Sequence, residues 1–319
     1  MFLPAIGVVA MGILRYVVKR IGVAVLALLV ITTVVFVTIR LTGSPVAAML
    51  GSGNPSKQAV MALTKQLGLN KPLWLQYWVF MKGLVLHGNL GTSFATGQPV
   101  SYLILTRMPA TIILAMAGSL VGVILALPIG LLSAVQRNSW IDFLGRVFAL
   151  VGISFPNFWL GMMLILVFSV TLHWFPSSGY GNVSSLVLPA VTLGLILAGI
   201  NARLIRSSVL EILGRDYVRT ARAKGLSNWS VVMKHALRNA LVPIVTYVGQ
   251  QFATLLGGIV FVEVVFAWPG IGTLSLTAVE TRDFPLVQGI VLAFAALLVV
   301  VNLLTDLSYV LIDPQIRLE

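Results

Sequence analysis

The chain has 319 residues, 58% of them hydrophobic and only 9% charged, with a formal net charge of +12 and no cysteine. A soluble domain uses about 25% charged residues, so this chain lacks the polar surface to fold in water, while the missing cysteines exclude disulfides, thiolate metal sites and cysteine nucleophiles. Six membrane-spanning helices of about 20 residues each would take roughly 120 residues, and basic residues in such a chain point to cytoplasmic loops and anionic lipid rather than to nucleic acid.

The first strong apolar span is Ile21–Ile39, preceded by Arg15, Lys19 and Arg20, which place its start in the cytoplasm. The apolar stretch Met1–Leu14 is too short to span and reads as an interfacial segment, or as an early start before Met11. Residues 1–20 are therefore an N-terminal cytoplasmic or interfacial segment, and 21–40 the first transmembrane helix. Residues 41–110 form an extracytoplasmic loop carrying turn signals at Thr42–Pro45 and Gly51–Pro55. Within it, Ser56–Leu67 reads as a short amphipathic helix. Leu73–Leu86 reads as an aromatic one along the outer membrane surface, with Trp74, Tyr77, Trp78 and Phe80.

Residues 111–319 supply a five-helix core, with spans at Thr111–Val135, Val147–Leu172, Leu186–Arg203, Leu241–Phe266 and Leu286–Ile312. Pro128, Pro156, Pro189 and Pro243 fall in or at the ends of these spans, and Gly118-x-x-x-Gly122 offers a close-packing face. The loop 204–240 holds Arg206, Arg215, Arg219, Arg222, Lys224, Lys234 and Arg238 against Glu211 and Asp216. The opposite loops His173–Ser185 and Ala267–Pro285 hold one basic residue, Arg282. This bias predicts an all-α polytopic membrane protein with six spans and both termini cytoplasmic.

Catalytic constellations are missing from the sequence. It has no G-x-x-x-x-G-K-[ST] phosphate loop, no G-x-S-x-G elbow and no H-E-x-x-H pair. His87, His173 and His235 lie far apart, so no metal site is expected. The prominent feature is the cytoplasmic segment Asp216–Gly225, which opens on a capping-capable acid and stops at a glycine. Val218, Ala221 and Gly225 recur at helical spacing, giving a small-residue face that another protein could approach, while Arg219, Arg222 and Lys224 face water or phosphate. The spacing alone fits a docking helix and a basic loop holding topology equally well.

The residues Asp216-Tyr-Val-Arg-Thr-Ala-Arg-Ala-Lys-Gly225, followed by His235-Ala-Leu-Arg-Asn-Ala240, resemble the coupling-loop signature of binding-protein-dependent ABC importer permeases. Thr220, Ala221 and Gly225 fall on the A-A-x3-G part of that signature. Arg219 stands where its acid would be, and Arg238 where its last proline would be, as in the peptide/nickel branch. Leu67–Tyr77, Gly88–Ser93, Arg107–Thr111, Ile153–Pro156, Trp268–Gly272 and Arg282–Pro285 agree, and the likeness is strongest to dipeptide/oligopeptide permease B subunits. Thr42-Gly-Ser-Pro45 departs from the family's P-G-D-P, which removes an acid from that turn.

The resemblance implies a type I ABC importer permease, itself non-catalytic, that forms half of a pathway for di- or oligopeptides in the bacterial cytoplasmic (inner) membrane. It implies a second related permease, two ATPase subunits holding ATP and Mg, an extracytoplasmic solute-binding protein and contact with membrane lipid. Asp216, Tyr217, Arg219, Thr220, Ala221, Lys224 and Gly225 become the ATPase-coupling residues. Relatives of this branch also carry glutathione, nickel chelates and opines, and those remain alternatives. A secondary transporter would need repeats and midplane ionisable groups; the chain offers only Glu263 and Asp306, which read as local partners near helix ends. Within the spans, Asn201 and Asn302 read as interhelical hydrogen-bonding groups, whereas one of the successive amides Gln250 and Gln251 should face the substrate path.

Overall fold

The computed structural model describes the backbone of residues 3–41, 43–50, 56–227 and 230–312. Its helices are α1 (Leu3–Leu41), α2 (Pro45–Met49), α3 (Lys57–Gln66), α4 (Leu73–His87), α5 (Val100–Val135), α6 (Trp140–Ser154) and α7 (Asn157–Leu164). They continue as α8 (Val183–Leu213), α9 (Asp216–Ala223), α10 (Arg238–Val265), α11 (Ile271–Glu280) and α12 (Phe284–Ile312), with π-helical stretches at Ile165–Thr171 and Val231–Leu237. Among the described residues, α1, α5, α8 and α12 are long and apolar enough to cross a bilayer, and the apolar stretch from α6 through α7 is bent, so that it is either one broken span, which would make five, or a re-entrant pair. The sixth predicted span is α10, 28 residues long, or about 42 Å at 1.5 Å per residue.

Three expectations change. The third span is not one helix: α6 and α7 meet at a 105° bend. Pro156 lacks an N–H and drives the residue before it out of the helical region, and Phe155 is extended at φ −97°, ψ 136°. The loop 204–240 is largely helical, because α8 continues ten residues beyond Arg203 before Gly214 ends it. The outer loop Ala267–Pro285 contains the short apolar helix α11.

The chain divides into two compact units, one built from residues up to Pro109 with Gly270–Val299, the other from Ala110–Pro269 with residues from Val300. In the first unit, Val100 and Ile104 of α5 pack on Ile271 and Ala278 of α11 and on Leu286 and Ile290 of α12. Phe80 of α4 stacks against Phe36 of α1 and Tyr77 meets the same ring edge-on, while the Tyr77 hydroxyl meets Thr33 Oγ1 at 2.7 Å. Trp74 and Trp78 stay exposed, as an interfacial helix requires. Buried Asp283 accepts from Ser93 Oγ at 2.5 Å and from the backbone N–H groups of Phe94 and Ala95, which fixes the 93–97 turn.

In the second unit α8 is central. A Cβ on Gly118 would lie 2.7 Å from Leu193 Cβ, and one on Gly122 2.8 Å from Leu197 Cβ. Only glycine permits α5 and α8 to come this close, the small-xxx-small arrangement of membrane helices. Further along, Ala126, Leu131 and Ala134 pack on Ala198, Ala202, Ile205 and Val209.

Candidate coupling helix and membrane cleft

Helix α8 runs into α9 through Gly214 and Arg215. Arg215 occupies the N-cap of α9 without a side-chain cap bond, so Asp216 is the first helical residue rather than the cap. Its carboxylate still suits the positive end of the helix and lies 3.7 Å from Arg219, both side chains being exposed. The Thr220 hydroxyl donates back to the Asp216 carbonyl at 3.1 Å. At the far end Gly225 takes a left-handed φ of +79°, with its N–H bonded to the Arg222 carbonyl. The glycine expected from the sequence as a helix terminator is in the conformation that requires one.

Of the small-residue face, Val218 and Ala221 turn inward and Gly225 is exposed. Val218 and Ala221 are buried against Val231, Ile212 and Leu213 of the same chain, so Ala221 packs α9 onto the end of α8. An eight-residue helix has too little intrinsic stability to stand alone in water, and this apolar seam fastens it to the end of α8. What α9 presents outward is Asp216, Tyr217, Arg219, Thr220, Arg222, Lys224 and Gly225. Three cations against one carboxylate give this outward face a net positive charge, which would complement an acidic surface.

The two successive glutamines point differently, as neighbours on a helix must. Gln251 lines a cleft of about 280 Å³ with Asn157 of α7, Leu193, Ile196, Leu197 and Ile200 of α8, and Leu255 and Gly258 of α10. Gln250 is exposed and outside that lining. A Cβ on Gly258 would lie 3.1 Å from Asn157 Nδ2, so the second amide reaches across the glycine. Two neutral amides in an apolar wall can orient a polar ligand without holding it by charge.

The other polar residues separate by role. Glu263 is fully buried and accepts from Thr111 Oγ1 at 2.7 Å, while Trp268 Nε1 donates to the Ala110 carbonyl at 2.9 Å. Both contacts tie the end of α10 to α5, which fits the expected local pairing of Glu263. Asn201 departs from expectation: it is buried, but its Oδ1 accepts no hydrogen bond among the described residues. The side chains of Asp306 and His235 lie outside the described residues. His87 and His173 are both exposed, and among the described residues no three His, Asp or Glu side chains cluster as a metal site would.

Asp142 was not legible as important from spacing alone. Its Oδ1 and Oδ2 accept from Arg206 Nε at 2.6 Å and Nη2 at 2.8 Å, joining α6 to α8, and its carboxylate also accepts from the Asn138 backbone N–H. The available signal was local: Ser139 caps α6 by accepting from the Asp142 N–H, the S-x-x-acid pattern of a helix start.

Two family models cover this architecture. One, the binding-protein-dependent transport system inner membrane component, matches residues 126–318; the other, the N-terminal part of such membrane components, matches residues 13–115. The chain belongs to this family of ABC importer permeases, and it is a multi-pass, non-catalytic inner-membrane component. Among curated relatives, the glutathione transport system permease protein GsiC of Pectobacterium atrosepticum is 44% identical over 306 residues, covering 95% of this chain and 99% of its own. GsiC of Salmonella typhimurium is 42% identical over 304 residues with the same coverage, and that of Escherichia coli strain K12 is 40% identical. Among solved structures, an inward-facing methionine transporter MetNI matches with a TM-score of 0.55 at 20% identity, over 67% of this chain and 97% of its own. An amino acid ABC transporter with histidines matches at 0.54 and 16%, over 66% and 94%. These two likenesses show the fold, a type I importer permease.

Proposed function

We propose that the chain forms half of the translocation pathway of an ATP-driven importer of glutathione, or of a small peptide of similar charge, in a bacterial inner membrane with both termini in the cytoplasm. The observation that carries this reading is the 40–44% identity to GsiC proteins from three bacteria over 95% of the chain. It favours the glutathione alternative over the broader di- and oligopeptide expectation. The complete assembly would add a second related permease, two ATPase subunits binding ATP and Mg, and an extracytoplasmic binding protein. In this reading α9 transmits nucleotide-driven movement to α8, and the amide-lined cleft at Gln251 belongs to the substrate path. Binding-protein docking and ATP can drive transport only if each distinguishes the inward and outward states energetically.

The test is uptake of labelled glutathione into proteoliposomes holding the complete transporter and its binding protein. ATP-dependent uptake, abolished by replacing the phosphate-loop lysine of the ATPase and resistant to excess dialanine, is the expected result. Inhibition by dialanine with no glutathione uptake would return the substrate to the dipeptide class. Uptake driven by a proton gradient without ATP would make the chain a secondary transporter.

A further inference from the structure

A second cleft, of about 380 Å³, opens between α5, α6 and α8. Its walls are Ile129, Ala149, Leu150, Ile153 and Ala202, and at one end stand Arg146, Arg203 and Arg206. That end faces the α9 side of the bundle, since Arg203 and Arg206 lie in the last three turns of α8 before α9 begins. The charges do not cancel. Asp142 is the acid that meets these guanidinium groups, and it is taken by Arg206 on both oxygens, with Arg146 at 3.7 Å. Arg203 is exposed and has no ion-pair partner among the described residues.

Two further observations show a shaped site rather than a basic surface. Ser133 lines the same cleft with a buried hydroxyl that makes no hydrogen bond among the described residues. A buried hydroxyl without a partner costs about 1–3 kcal/mol, and a ligand oxygen would remove that cost. The apolar wall also has direction: Arg146, Leu150 and Ile153 lie along one face of α6, and Leu150 is 68% exposed. The site is therefore a cationic, anion-binding pocket at one end and a hydrocarbon groove leading away from it.

We propose that this cleft binds an anionic phospholipid, its phosphate between Arg146, Arg203 and Ser133 and its acyl chain along Leu150 and Ile153. Basic pockets between transmembrane helices on the cytoplasmic side recognise acidic headgroups in this way. The inner leaflet is the source of the lipid on the topology proposed above; the binding itself follows from the cleft and does not depend on the transported substrate. Because α8 leads directly to α9, a lipid held here would brace the helix that carries the coupling segment.

The experiment is native mass spectrometry of the full chain released from nanodiscs of mixed phosphatidylglycerol and phosphatidylcholine. Wild type should retain one phosphatidylglycerol. The double variant Arg146→Gln/Arg203→Gln should retain it about tenfold less or worse, whereas the charge-matched control Lys82→Gln/Arg137→Gln should behave as wild type. Arg203→Gln alone, which breaks no ion pair among the described residues, should show a smaller loss in the same direction and serves if the double variant fails to fold. Equal retention in wild type and Arg203→Gln would overturn the proposal. Displacement of the lipid by glutathione, or retention of phosphatidylcholine equally well, would overturn it too, the first by making the cleft a site for small permeating anions.

Discussion

Arg206 of α8 grips Asp142 of α6 at two points, 2.6 and 2.8 Å, and the carboxylate has no exposed surface. Removing one partner of a buried pair strands the other charge and costs about 3–5 kcal/mol; the partial exposure of Arg206 places this pair toward the lower figure. Asp142→Ala should therefore lower the melting temperature of the purified chain markedly. Arg206→Lys, which keeps the charge and loses the two-point geometry, should lower it less. The double variant Asp142→Leu/Arg206→Met should recover most of the loss, because an apolar pair leaves no buried charge. An Asp142→Ala protein as stable as wild type would show that the pair is dispensable to packing.

The end of α9 makes a sharper distinction. Among the described residues no atom lies within 4 Å of where a Cβ on Gly225 would stand, so within this chain a side chain there meets the left-handed backbone rather than crowding. Gly225→Ala should cost about 1–2 kcal/mol locally, and Gly225→Val more, since β-branched residues oppose that region. Ala221→Leu should act by a different route, overpacking the seam against Ile212, Leu213 and Val231 for about 1–3 kcal/mol, with Ala221→Ser milder. The measurements are co-purification with the ATPase subunits and substrate-stimulated ATP hydrolysis at matched expression. Normal assembly and stimulation in both Gly225→Val and Ala221→Leu would place the coupling surface elsewhere.

Why some of this was legible in the sequence and some was not follows from the range of each signal. Ser56 before Lys57, the run Leu73–Leu86 and Gly225 are local signals, and the helices α3, α4 and α9 follow them closely. The hydrophobic runs mark the spans, but hydropathy is blind to direction, so the 105° bend at Phe155–Pro156 has no hydropathy signal. The spacing of Val218 and Ala221 puts both on one face of α9, where both are buried. Its partner was not readable, because packing on the chain's own Val231 depends on a fold-back that periodicity does not encode. Asp142–Arg206 and Ser93–Asp283 join residues 64 and 190 positions apart, beyond the reach of any local pattern.

Topology is checked with single cysteines, which the sequence permits because it has none of its own. Lys57 and Lys224 are both exposed, so access to reagent reports sidedness rather than burial. Lys57→Cys should react with an impermeant maleimide in intact cells stripped of any outer barrier. Lys224→Cys should react only after lysis. The reverse pattern would invert the proposed orientation, and with it the leaflet in which the arginine-lined cleft lies.

The cleft between α7, α8 and α10 separates two residues that the sequence could only pair. Gln251 lines it and Gln250 does not, so the two leucine substitutions should part company. Gln251→Leu replaces an amide by a similar volume of hydrocarbon and removes a hydrogen-bonding group from a wall otherwise built by Leu193, Ile196, Leu197, Ile200 and Leu255. A lost hydrogen bond to a neutral group is worth about 0.5–1.5 kcal/mol, equivalent to roughly 2- to 13-fold in apparent affinity for the transported solute. Asn157→Leu, which keeps the shape of the side chain and removes its amide, should act in the same direction. Initial uptake rates across a range of binding-protein concentrations, with ATP hydrolysis measured in parallel, separate the outcomes. A raised half-saturation with intact basal hydrolysis in Gln251→Leu, and no change in Gln250→Leu, is the expected result. Equal effects from both glutamines would mean that their shared helix, rather than the amide in the cleft, governs transport.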